Sequence, residues 1–126
     1  MKAEQSKEVV QTFVQMVFGE KRVREGAECY MREDYVQHNP RGRDGREAFI
    51  QMFEGFFERA PDLSLDVKRA LAEGDLVALH SHFKLSPGEK GSAVVDIFRI
   101  EDGLIAEHWD VVQAVPEEAR DPGVVF

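Results

Sequence analysis

Residues Asp96 to Gln113 read DIFRIEDGLIAEHWDVVQ, and the side of a sheet on which their polar members fall decides what this domain can do. Two runs rich in Val, Ile, Phe and Trp flank Glu101-Asp102-Gly103. This is the pattern of a β-hairpin in which Gly103 takes the positive φ that ends a three-residue turn. With Ile100 and Leu104 flanking the turn, counting outward sets Asp96 opposite His108, and Asp110 falls two residues further along the same face. Two carboxylates and an imidazole then share one face. A tighter turn that pairs Glu101 with Leu104 slips the register by one and sends Asp96 to the face opposite His108 and Asp110. The three-residue turn is favoured because it needs one residue at positive φ, and Gly103 supplies it.

Working outward, 126 residues with 43% hydrophobic side chains fit one compact domain spanning 1–126, large enough to bury a core. A net charge of −8, from 24 acidic and 16 basic side chains, argues against nucleic acid or an anionic membrane as partner, because phosphate binding needs a basic patch. No stretch approaches the roughly 18 consecutive apolar residues of a membrane span, and the N-terminal MKAEQSKEVV is too polar for a signal peptide. A soluble, cytoplasmic protein is expected. The single Cys29 excludes an internal disulfide and a cysteine-rich zinc site, and is expected to be a small, partly buried helix residue.

Before the hairpin, Val9, Val10, Phe13, Val14 and Val17 recur at three- and four-residue spacing, which predicts an amphipathic helix over about 6–18. A shorter helix is expected over about 21–30, with Val23, Ala27 and Tyr30 inward. Tyr35 to Gly45, YVQHNPRGRDG, is rich in turn formers and should be irregular. Asp44 with Glu47 has the form of a capping box. Phe49, Ile50, Phe53, Phe56, Phe57 and Ala60 then carry a helix to Pro61, as core or as a pocket wall. From Leu63 the period changes to 2, with Leu65, Val67 and Arg69 on one side, and a meander of about four long antiparallel strands follows. Helices followed by such a meander imply an α+β domain, three helices on one face of a curved antiparallel sheet. The other face would carry Val95, Ile97, Ile105, Trp109 and Val111. That is too much apolar surface for water, so a homodimer interface is expected there, the alternative being a second buried layer within the monomer.

The order of elements, the segment YVQHNP, the phenylalanine-rich helix after it and DIFRIEDGLIAEHWDVVQ together resemble the SnoaL-like branch of the NTF2-like superfamily, over about residues 6 to 115. The resemblance implies a cone-shaped fold that hosts cyclases, isomerases, dehydratases, epoxide hydrolases and non-catalytic binding modules. In the characterised polyketide cyclases of that branch, an aspartate on a late strand is the general base of an intramolecular aldol condensation, without metal or cofactor. Asp110 matches it. Those cyclases place a histidine on the neighbouring strand, where this chain has Asp96, with His108 nearby.

Removing a proton next to a carbonyl needs a base, a group that stabilises the enolate oxygen and a pocket that excludes water. Asp110 and Asp96 could supply the acid pair, and His108 could polarise a carbonyl or orient Asp96. The resemblance places His38 at the mouth of the cone; Asn39 and Tyr35 are candidates for the oxyanion side. His80 and His82 share one side of their strand, and one of them is expected to line the pocket. With Asp96, His108 and Asp110 they could in principle bind zinc or iron(II), but no tight ligand pair is present, and no metal is expected. Arg99, an odd number of residues from Asp96, points away from a two-aspartate water-activating site. The expected substrate is a small hydrophobic carbonyl compound, handled by a cofactor-independent aldol-type cyclase or an isomerase. A dimeric module that only binds such a ligand is the competing expectation.

Overall fold

The computed structural model describes residues 2–119 and 121–126. Helix α1 (Ala3–Val14) runs on through a wider π-type turn at Gln15–Gly19, and α2 (Val23–Tyr30) and α3 (Arg46–Arg59) complete the helical layer. The strands are β1 (Met31–Gln37), β2 (Ser64–Glu73), β3 (Leu76–Lys84), β4 (Ser92–Glu101) and β5 (Leu104–Ala114). They form one sheet in the order β1-β5-β4-β3-β2, antiparallel except where β1 runs parallel to β5. This is the α+β architecture of the NTF2-like cone, with the helices on one face of the sheet. Among the described residues no helix is long and apolar enough to cross a membrane.

The helices sit where their apolar stripes dictate. Val10, Phe13 and Val17 from the first helical segment, Ala27 from α2 and Ile50 from α3 are buried against Val77, Leu79, Ile100 and Ile105 of the sheet. Ser6, fully buried on α1, donates its hydroxyl to the Gly74 carbonyl at 2.9 Å and ties the helix to the β2–β3 turn. On α3 the phenylalanines divide. Phe49 is buried, while Phe53 and Phe57 are partly buried and interlock with Phe18 at ring distances of 5.1 and 6.3 Å.

Several expectations are corrected. Met31–Gln37 is a fifth strand, and it takes in the first three residues of the segment read as irregular. Its buried residues, Met31 and Tyr35, are separated by an exposed Glu33, and the register with β5 shifts between Met31 and Val36, so the plain alternation of a strand is broken. The cap of α3 is Gly45 at φ 100°, not Asp44. The Asp44 carboxylate instead accepts the Gln37 backbone N–H at 2.8 Å, and Glu47 is held by two hydrogen bonds from Arg24. Cys29 is exposed. In β2 the register shifts between Val67 and Arg69, so Arg69 leaves the inner face and Ala70 and Ala72 take its place.

The hairpin is the main correction. Asp102 (φ 52°) and Gly103 (φ 79°) form a two-residue turn, and Glu101 pairs with Leu104. That is the tighter turn, which alone would have put Asp96 on the wrong face. A bulge reverses the slip: Ile100 pairs with Ile105, but Arg99 pairs with Glu107, so Ala106 is an extra residue in β5. Beyond it Phe98 faces His108 and Asp96 faces Asp110. The three polar residues thus share the inner face, with Asp96 across from Asp110 and diagonal to His108. Ile105 precedes the bulge and is fully buried in the core, not on the outer face. Both turn residues sit at positive φ, where a Cβ at the second position is strained, so Gly103→Ala is expected to lower the unfolding free energy by about 1 to 2 kcal/mol in denaturant titration.

Candidate functional site

Between the helices and the inner face of the sheet lies a cavity of about 370 Å³. Its walls are aromatic and aliphatic: Phe13 from α1, Phe49, Phe53 and Phe56 from α3, and Phe83 and Phe98 from the sheet. The polar lining comes mainly from two neighbouring regions, with Glu89 added from the loop between β3 and β4 and Ser92 from the start of β4. Tyr35, Gln37, Asn39 and Arg41 come from the end of β1 and the loop after it, and Asp96, His108 and Asp110 come from β4 and β5. Alternation explains the first set, because residues 35, 37 and 39 continue a period of 2 while Val36 and His38 turn outward.

These side chains form one connected network. His108 Nε2 is 2.8 Å from Asp96 Oδ1, with both side chains largely buried, at 10% and 14% exposure. On its other side His108 Nδ1 is 2.7 Å from Gln37 Oε1. Gln37 donates its Nε2–H to the Tyr35 hydroxyl at 2.8 Å. Asn39 donates its side-chain amide to both Asp110 oxygens, at 2.9 and 2.8 Å. One ligand-type atom from each of Asp96, His108 and Asp110 lies within 4.8 Å of the other two. The Tyr35 hydroxyl is pushed well above the usual tyrosine range by burial first, then by the nearby charges of Asp96 and Asp110. Tyr35 therefore remains a neutral hydrogen-bond donor.

Of the residues singled out in the sequence, Asp96, His108, Asp110, Asn39 and Tyr35 meet at this cavity. His38, His80 and His82 do not line it. His38 lies on the outer face, stacked on Trp109 with ring centres 4.8 Å apart and bonded to Glu107 at 2.6 Å. Hydrogen bonds from His38 and then Arg99 hold the Glu107 carboxyl below the usual glutamate range. Neither His80 nor His82 lines the cavity, because the alternating Leu79 and Ser81 take the inner positions of β3 and are fully buried. Their rings lie instead against Phe126, at 5.9 and 4.3 Å. Gln37, Arg41, Glu89 and Ser92 line the cavity without having been singled out in the sequence; for Gln37 the signal was the alternation Tyr35, Gln37, Asn39, visible only once β1 is known to be a strand.

Asp96, His108 and Asp110 are also the side chains here that could hold a metal ion. Since Gln37 occupies His108 Nδ1, such an ion would have to take the Nε2 that now faces Asp96. The two acids are also held differently, and stability should separate them. Asp96→Ala leaves a largely buried imidazole nitrogen without its partner and is expected to cost about 1 to 3 kcal/mol in chemical denaturation. Asp110→Asn keeps an acceptor for Asn39 and removes one of two facing charges, so it should leave stability unchanged or raise it by up to about 1 kcal/mol.

Among solved structures, the fold is similar to TsrD from Streptomyces laurentii, with a TM-score of 0.71 and 24% identity over 89% of this chain and 90% of that one. It is also similar to a candidate ketosteroid isomerase from Kribbella flavida, with a TM-score of 0.76 and 21% identity over 98% and 89% of the two chains. A candidate polyketide cyclase from Acidithiobacillus ferrooxidans gives a TM-score of 0.70 and 17% identity over 86% and 87%. At these identities the likeness is one of fold. No curated protein matches the sequence. The profile of the SnoaL-like domain matches residues 10–108, from the middle of α1 to His108 on the cavity floor, and the chain belongs to that family.

Proposed function

We propose that this protein is a cofactor-independent enzyme that removes a proton from carbon next to the carbonyl of a small, largely hydrophobic compound, as in aldol-type cyclisation or isomerisation. The observation that carries this reading is the pair of facing carboxylates, Asp96 and Asp110, set in the floor of an otherwise mostly apolar cavity. Its volume of about 370 Å³ suits a small molecule. Asp110, held by the Asn39 amide alone among the described residues, is the base. Its oxygen takes the α-proton, the C–H electron pair moves into the C–C bond, and the carbonyl oxygen becomes an enolate. Tyr35, kept protonated by its surroundings, and the Asp96–His108 pair are the donors that stabilise that oxygen.

The expected result is transfer of deuterium from D2O into the α-position of at least one member of a panel of hydrophobic ketones, followed by mass spectrometry. Asp110→Asn should slow that exchange by roughly 100-fold or more. Saturable ketone binding with no exchange in the parent protein would favour a binding module, and full exchange in Asp110→Asn would move the base to Asp96.

The second part of the proposal is a homodimer through the outer face of the sheet. Val95, Ile97 and Trp109 are only partly covered there, and Val111 and Leu71 are each 67% exposed. Arg69, Arg99 and Glu107 are set among them, so a second copy could meet this face with both apolar area and opposite charges. Light scattering is expected to give the dimer mass for the parent and the monomer mass for Val111→Lys; a monomeric parent at micromolar concentration would overturn this part.

A further inference from the structure

The two ends of His108 meet different partners, and one of them fixes where its hydrogen must be. Gln37 Oε1 lies 2.7 Å from His108 Nδ1 and 3.1 Å from the Asn39 backbone nitrogen. A backbone N–H can only donate, so the atom it meets must be the amide oxygen. The amide nitrogen then faces the Tyr35 hydroxyl at 2.8 Å, which can accept. The reversed amide would set two donors against each other at Asn39. With its oxygen so placed, Gln37 can only accept from the imidazole, and His108 must carry a hydrogen on Nδ1.

We propose that Gln37 is a positioning residue that keeps His108 protonated on Nδ1, so that Nε2 and Asp96 share a single proton facing the cavity. A bare Nε2 lone pair 2.8 Å from an ionised carboxylate would be repulsive, so the contact requires that proton. It rests either on the ring or on the acid. In both forms that proton lies between the ring and the acid, and a ligand oxygen receives it by displacing Asp96 from Nε2. Without Gln37 the imidazole is free to place its one neutral-state hydrogen on Nε2, satisfy Asp96 as a carboxylate and leave Nδ1 bare. The same amide also orients the neighbouring phenol. By donating to Tyr35 Oη it leaves that hydroxyl's own hydrogen for another acceptor, and none is bonded to it among the described residues.

The surroundings of Gln37 are built to hold it. Its backbone N–H is bound by Asp44 at 2.8 Å, and β1 pairs it directly with His108. Gly42 folds over its side chain: a Cβ there would come within 2.8 Å of Gln37 Cγ, closer than such atoms approach, and Cγ is not the free end of the chain. Gly42 is also tied back by its N–H to the Asn39 carbonyl at 3.0 Å. The absent side chain at position 42 is what leaves Gln37 room to reach both partners.

The hydrogen's position is a property of the free protein, so it can be tested independently of the reaction proposed above. Long-range proton–nitrogen correlation on 15N-labelled protein reports whether each ring nitrogen carries a hydrogen, and His108→Gln assigns the His108 signals among the four histidines. The expected spectrum at neutral and mildly alkaline pH has Nδ1 in the protonated, pyrrole-type range. Gln37→Met should move Nδ1 to the lone-pair, pyridine-type range at mildly alkaline pH, while Gln37→Glu, which retains an acceptor, should keep it protonated. Gly42→Ala should displace the Gln37 amide and shift Nδ1 in the same direction as Gln37→Met. A lone pair on Nδ1 in the parent protein overturns the proposal whatever the variants do. So does a folded Gln37→Met that retains its Nδ1 hydrogen.

Discussion

One unpaired residue in β5, Ala106, determines which side chains reach the cavity. Side chains alternate along a strand, so the tight turn at Asp102-Gly103 by itself would have set Asp96 on one face and His108 with Asp110 on the other. The extra residue restores the alternation beyond it. Both Ile105 and Ala106 are buried, so the bulge is held by core packing as well as by the ladder, and the polar floor inherits the rigidity of the core. The five-stranded order then brings β1 alongside β5, which places Tyr35, Gln37 and Asn39 within reach of His108 and Asp110.

Given that placement, the polar network has little freedom. Burying a carboxylate and an imidazole together is unfavourable unless each finds partners, and here each does: Asp96 with His108, His108 with Gln37, Asp110 with Asn39. The phenylalanine walls cover one side of this network and leave the other facing the cavity. A site made this way needs no loop closure to assemble. Apart from Asn39, which lies just beyond β1, its geometry is set by neighbouring strands, where side-chain positions are more closely held than on loops.

The outer face follows a different logic. Its histidines, His38, His80 and His82, are all engaged with aromatic rings of Trp109 or Phe126, and its ionic groups include Glu107 paired with both His38 and Arg99. Four histidines that look equivalent in the sequence thus divide into one on the cavity floor and three on the opposite face. One buried side-chain polar atom, Ser81 Oγ, has no partner among the described residues. It sits on the inner face of β3 between Leu79 and Phe83.

The sequence alone determined the α+β class and all of its long elements except β1, because its strongest signals are local. The 3.6-residue spacing of apolar residues in α1 and α3, the change to a period of 2 after Leu63, and the turn residues around Gly103 each follow from side chains a few positions apart. It also marked Asp96, His108 and Asp110 as a group, since acids within an apolar strand are costly unless paired. What it could not determine was parity. The tight turn stood there only as the less favoured alternative, and the bulge that compensates it was invisible, because a bulge is set by how two strands pack over their whole length rather than by any residue type. For the same reason the end of β1 read as an irregular segment, and Gln37 and the outward direction of His38, His80 and His82 became clear only when the strands were laid side by side. Local periodicity fixes which element a residue belongs to; only the pairing of distant strands decides which face it occupies.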